Sequence, residues 1–239
     1  MNRAMRKRLQ RLTQSKGPVI RRGDPQQELT DTLYQQQYMA TLAILQQDEE
    51  DALKALRLAH SVHQASEKAY QVSSEFLESK LDCRSGCAYC CHTPVQAHIL
   101  DAIGAAAARL STPLAYELPT RQRDQLKKIF LPCPLLHNGQ CSIYAQRPVV
   151  CRAYQSSQVD ACRQRFESQN PALPVPMDVR LYGLTGMPQL ASLDIFQELG
   201  IDCRPVVLGL AVAALTRDFD GMVSDWLNGG RAFEEVVVL

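Results

Sequence analysis

Four cysteines occupy nine residues in the stretch CRSGCAYCC (83–91), two of them adjacent. Cys83, Cys87 and Cys90 stand in a C-x3-C-x2-C spacing. Intervals of three and four residues bring side chains to one side of a tight turn, so the three sulfurs can converge on one centre. Gly86 lets the backbone bend between them. Cys91 points away from its neighbour, so it is expected to face a second centre or to bridge. Cys133, Cys141, Cys151 and Cys162 follow at intervals of 8, 10 and 11. Eight thiols are twice what one tetrahedral ion uses, so two four-cysteine sites, or one cluster with supporting thiols, account for the number. The ninth, Cys203 in GIDCRP, reads as a small buried hydrophobe.

The chemistry expected is soft-donor metal binding, by zinc, iron or an iron–sulfur cluster. Four thiolates around a divalent zinc overbalance its charge, and Arg84, Arg147 and Arg152 lie close enough in sequence to offset the excess. His92 and His137 are candidate substitute ligands. His60 and His63, three residues apart, could pair on a metal but read better as ordinary helix residues, and His98 reads as structural. Disulfides are disfavoured by the odd cysteine total and by the absence of an apolar export signal after the first charges, which together point to a reducing, cytosolic setting. No phosphate-binding glycine loop, H-E-x-x-H motif or Ser/His/Asp set is visible.

These residues resemble a known family. CRSGCAYCC followed by CPLLHNGQCSIYAQRPVVCRAY (133–154) is similar to the YkgJ-type cysteine-cluster proteins, a zinc- or iron-chelating domain with a CxxxCxxCC signature. The resemblance runs from Cys83 to about Cys162 and implies metal ligation by Cys83, Cys87, Cys90, Cys91, Cys133, Cys141 and Cys151. It makes Tyr144, Arg147, Pro148 and Arg152 part of the second motif; Cys162 joins the set on the count of thiols. Some proteins with this signature are lysine methylases of flagellin, and the first motif also resembles the cluster loop of radical S-adenosylmethionine enzymes. An iron–sulfur enzyme for methyl transfer or redox chemistry is therefore one alternative. Against it, the chain lacks the alternating strands of a β/α barrel.

The elements that must position the cysteines are mostly helical. The 239 residues carry a net charge of +1 and are 46% hydrophobic, which fits a globular chain without bias toward nucleic acid. Residues 1–22 hold eight Lys/Arg and no acid, reading as a flexible basic tail, 1–24, able to touch an acidic surface. Asp24-Pro25 opens a helix, on which Leu29, Leu33, Tyr38, Leu42 and Leu45 recur at helical spacing. DEED (48–51) opens a second, with a stripe of Leu53, Leu56, His60, His63, Tyr70 and Leu77 interrupted at Ser66 and Ser73. A helical hairpin over 25–80 follows, and it is the surface through which an adaptor would dock a protein partner.

The cysteine region, 81–165, contains predicted helices at 95–110 and 121–130 and a turn at Asn138-Gly139. Residues 166–239 read as three or four helices packed on the cluster domain, stopping at Gly229-Gly230. CSIY (141–144) and the final VVVL are the strand candidates. VVLGLAVAAL (206–215) covers about half of the ~20 residues a membrane span needs. The expected fold is mainly α, with irregular, metal-organised cysteine loops.

Overall fold

The computed structural model describes residues 1–15, 17–77, 80–111 and 132–238, and it is mainly helical. The helix expected over 121–130 lies outside the described residues. Helices α2 (Pro25–Leu45) and α3 (Asp51–Ser74) form the expected hairpin. The Asp24 carboxylate accepts from the Gln26 N–H at 2.9 Å and Pro25 occupies the first turn, so the predicted start is the observed one.

Two expectations for this half are corrected. Residues Arg3–Gln14 form helix α1 rather than a loose tail, because Met5 and Leu9 are buried in the core while the basic side chains stay outside. On α3 the buried face is Ala55, Leu58, Ala59, Val62, Ser66, Ala69 and Ser73, whereas Leu53 and His60 are exposed. The small residues are what the packing requires. Helix α7 (Val179–Leu199) packs against both α2 and α3, and a Ser/Ala face lets the backbones approach. Gln37, Thr41 and Ser192 hydrogen-bond across the α2–α7 contact, with Thr41 and Ser192 hydroxyls 2.8 Å apart. The hairpin therefore meets its third helix within the chain.

Residues 95–110 divide into strand β1 (Gln96–His98) and helix α4 (Ile99–Leu110). β1 pairs antiparallel with β4 (Pro205–Val207), a strand with no expectation behind it, and Val206 bridges Val237 of the predicted terminal strand. The second ribbon is a minimal hairpin of β2 (Leu136–His137) and β3 (Gln140–Cys141). Asn138 and Gly139 both have positive φ, 49° and 74°, the geometry of the tight turn that Asn-Gly favours. Helices α5 (Val149–Ala153) and α6 (Val159–Glu167) follow, then α7, α8 (Leu208–Leu215) and α9 (Phe219–Leu227). Among the described residues no helix is long and apolar enough to cross a membrane.

One carboxylate joins the helical core to the cysteine region. Asp101 of α4 is 1% exposed. It accepts from the Val149 N–H at the start of α5 at 2.8 Å and from the Gln189 amide of α7 at 2.6 Å, and its Oδ1 lies 3.1 Å from His63 Nε2 of α3. Burial opposes its ionisation, but the hydrogen bonds from His63, Val149 and Gln189 outweigh that and hold its carboxyl below the usual range. Gly104, one turn further along α4, leaves room for His63: a Cβ there would come within 2.6 Å of the imidazole Cε1. Gly104→Ala is expected to displace His63 from Asp101 and to lower stability by about 1–3 kcal/mol, measured by urea unfolding.

Candidate metal centre

The first motif is an irregular loop closed by local turns. Cys87 N–H bonds the Arg84 carbonyl at 3.0 Å, and Gly86 takes φ 88° between them. Tyr89–His92 is a short 3-10 turn carrying Cys90 and Cys91. The segment leading in is pinned to the start of α6: Asp82 N–H donates to the Ser156 carbonyl at 2.9 Å, and the Asp82 carboxylate accepts from the Val159 N–H at 3.0 Å. That carboxylate sits at a helix N-terminus, where unpaired N–H groups favour it. The Cys83 sulfur accepts from the Ser156 N–H at 3.2 Å.

The second motif meets the first through the backbone, the Cys133 N–H lying 2.5 Å from the Cys91 carbonyl. The hairpin sets Cys141 opposite Leu136, and α5, entered at Pro148, carries Cys151. Helix α6 then returns over the first motif, with Phe166 packed against Tyr89 and His92 at ring separations of 5.8 and 4.5 Å. Cys162 comes with it.

All eight of Cys83, Cys87, Cys90, Cys91, Cys133, Cys141, Cys151 and Cys162 line one cavity of about 440 Å³. Segments separated by up to a third of the chain are thus gathered around one space. Cys203 lies elsewhere, its thiol donating to the Ile201 carbonyl at 3.2 Å. All nine cysteines are free thiols. The thiols line the space rather than closing on a point: among the described residues no three Cys, His, Asp or Glu groups converge as metal ligands.

Desolvation disfavours the thiolate at several of these cysteines. Burial raises Cys83, Cys87 and Cys141, raises Cys162 to about 11, and raises Cys151 well above its ordinary value. For Cys90 the hydrogen bond with the Cys91 thiol is the larger cause and burial the second. Arg147 partly offsets the rise at Cys83, Cys90 and Cys141, and Arg84 does so at Cys87, so these two of the expected arginines act on thiols. The Arg147 guanidinium lies 4.3 Å from the centre of the Tyr144 ring.

Arg152 does not share that role. It pairs with Glu67 of α3 and donates to the Ala145 carbonyl at 3.0 Å, tying α5 to the hairpin helices. Neither His92 nor His137 lines the cavity. His92 Nδ1 lies 3.0 Å from the Ala88 carbonyl and His137 Nε2 lies 3.2 Å from Asn138, so the substitute-ligand expectation finds no placement for either. His98 Nδ1 is 3.3 Å from the Cys203 carbonyl, in a structural position.

Residues 82–171 match the model of the family CxxCxxCC, described as "Putative zinc- or iron-chelating domain". The cysteine region is similar to that family over this span, which is less than half of the chain. No curated protein and no solved structure matches the chain. The matched span takes in both motifs and α6 with Cys162. The cavity also has walls from outside that span: Val175 and Tyr182 precede and begin α7, and Leu208 opens α8. The sequence carried no signal for those three. For Arg165, also in the wall, one was available, because it lies three residues after Cys162 on the same helix and so on the same face.

Proposed function

We propose that the cysteine region binds zinc or iron through cysteine thiolates drawn from Cys83, Cys87, Cys90, Cys91, Cys133, Cys141, Cys151 and Cys162. The carrying observation is the single cavity lined by all eight, with the unrelated Cys203 outside it. Thiolates are soft donors suited to zinc and to iron alike, and Arg147 supplies positive charge beside them. A bound ion would supply a Lewis-acidic or redox centre and a cross-link between chain segments. The chain's own part is to deliver the sulfurs from two motifs into one desolvated space and to place Arg147 against their charge. Ligation requires the side chains to close on the ion, so metal is expected to order the loops of 82–91 and 133–148. Free thiols of this number suit a reducing, cytosol-like compartment.

Elemental analysis and a visible spectrum of the same anaerobically purified sample test the reading. Zinc without colour and iron with broad visible absorption and acid-labile sulfide each support it and decide the metal. Neither metal, in a chain that also fails to take up either one when titrated, would overturn it. Because burial raises the Cys83, Cys141 and Cys162 thiols, their ligation must expel protons. Metal added to metal-free protein near pH 7 in weak buffer is expected to release more than one proton per ion, and apparent affinity is expected to rise with pH. A pH-stat titration measures both.

A further inference from the structure

Metal ligation leaves much of the cavity's wall unexplained. The thiols form one part of it, while Pro94, Val95, Leu135, Val175 and Leu208 give it an apolar side. Tyr154, Phe166 and Tyr182 line it too, with Arg165 next to Phe166 on α6 and acting on Tyr154. The Nε of Arg165 is buried and has no hydrogen-bond partner among the described residues, and the same holds for that of Arg147 in the same wall. Arg147 acts on Cys83, Cys90 and Cys141; Arg165 acts on the Tyr154 hydroxyl instead. Arg84, which also lines the cavity, acts on Cys87, so of the three arginines in the wall Arg165 is the one that acts on Tyr154 beside the thiols.

A desolvated guanidinium nitrogen without a partner is costly unless a ligand completes it. The planar fork of arginine matches a carboxylate through two parallel N–H···O bonds. A volume of about 440 Å³ is in the range of small-molecule pockets, which combine apolar walls with a few polar anchors. The aromatic rings beside Arg165 suit a flat or apolar body attached to the anionic group.

We propose that the cavity is also a binding site for a small organic carboxylate with an apolar or aromatic body, its carboxylate held by Arg165 and its body lying among Tyr154, Phe166 and Tyr182. This deepens the metal-centre reading, because the ligand would lie in the space the thiols share. It does not depend on which metal is held.

The test uses 4-fluorophenylacetate as probe, followed by 19F NMR line broadening on the full-length protein as purified, with metal content determined on the same sample. Saturable broadening is expected, with the neutral 4-fluorophenylacetamide binding at least tenfold more weakly. Arg165→Met should weaken the acid at least tenfold while metal content stays at the wild-type level. Arg165→Lys, which keeps the charge but loses the fork, should fall between. Equal binding of acid and amide, or unchanged binding by the folded Arg165→Met protein, would overturn the carboxylate site. Should Arg165→Met fail to fold, the acid–amide comparison on the wild-type chain and Arg165→Lys decide alone. A sample without zinc or iron would count against the metal reading and leave the probe result to stand by itself.

Discussion

Cys87→Ser and Cys151→Ser, one from each motif, are each expected to emerge from anaerobic purification with metal content reduced at least tenfold, and Cys203→Ser with the wild-type content. A serine hydroxyl remains protonated near neutral pH and is a far poorer soft-metal donor than a thiolate, so each of the first two changes removes a ligand. The pair is informative because the two residues lie in different local structures. Cys87 closes a turn at Gly86, and Cys151 lies in the middle of the short helix α5. What they share is the cavity, where both lie near Cys90. Loss of metal from one and not the other would mean that a single motif holds the ion. Retention in both would sink the assignment. Cys203 controls for the general effect of removing a thiol, since its sulfur contacts backbone carbonyls and lies outside the cavity.

Asp101→Ala is expected to cost about 3–5 kcal/mol of folding stability, because it strands buried donors that the carboxylate satisfied. The Val149 N–H and the Gln189 amide both lose their acceptor, and His63 loses its partner. Equilibrium urea unfolding of the two proteins side by side measures the difference. A loss below about 1 kcal/mol, the scale of an ordinary surface change, would show that the network is replaceable by water or repacking.

The same group sets a pH dependence. Its folded value is depressed, so its contribution is fully present above the unfolded carboxyl value, near 4, and is lost as pH falls through the folded one. Wild-type stability should therefore fall below about pH 4 more steeply than that of Asp101→Ala. Because Asp101 holds the first N–H of α5, the variant should also loosen the helix that carries Cys151. Weaker metal retention at moderate urea is the expected accompaniment.

Much of the site was legible from residue type and spacing alone. The eight thiols clustered in the sequence line one cavity and Cys203 does not, and the Asn138-Gly139 hairpin was placed because only certain residues accept positive φ in both positions. The α2 start was equally clear, since Asp24 and Pro25 are local signals with a local cause. What spacing could not supply was the partner of each polar group. Arg152 sits beside Cys151 in sequence but turns to Glu67, because a helical neighbour projects to a different face. The stripe on α3 was misread for a related reason. Leu and Tyr mark a buried face only when the partner helix stands off. Where α7 packs close, Ala and Ser occupy the contact and a leucine such as Leu53 is left outside. Strands β1 and β4 are three residues each and pair across more than a hundred positions, too short for a periodic signal of their own.

The return of helix α6 over the first motif has a consequence in time. A ribosome adds on the order of 5–20 residues per second, so Cys83 emerges several seconds before Cys162 is made. Helix α7, which packs on α2 and α3, comes later still. For that interval the four thiols of the first motif lack the wall that will desolvate them, and their protection falls to the surrounding reductant. A nascent chain stalled between Cys91 and Cys133 would hold half a chelating set, open to whichever thiophilic ion or oxidant reaches it first. The order of the motifs along the chain thus makes synthesis, rather than the finished fold, the stage at which this centre is most exposed to the wrong chemistry.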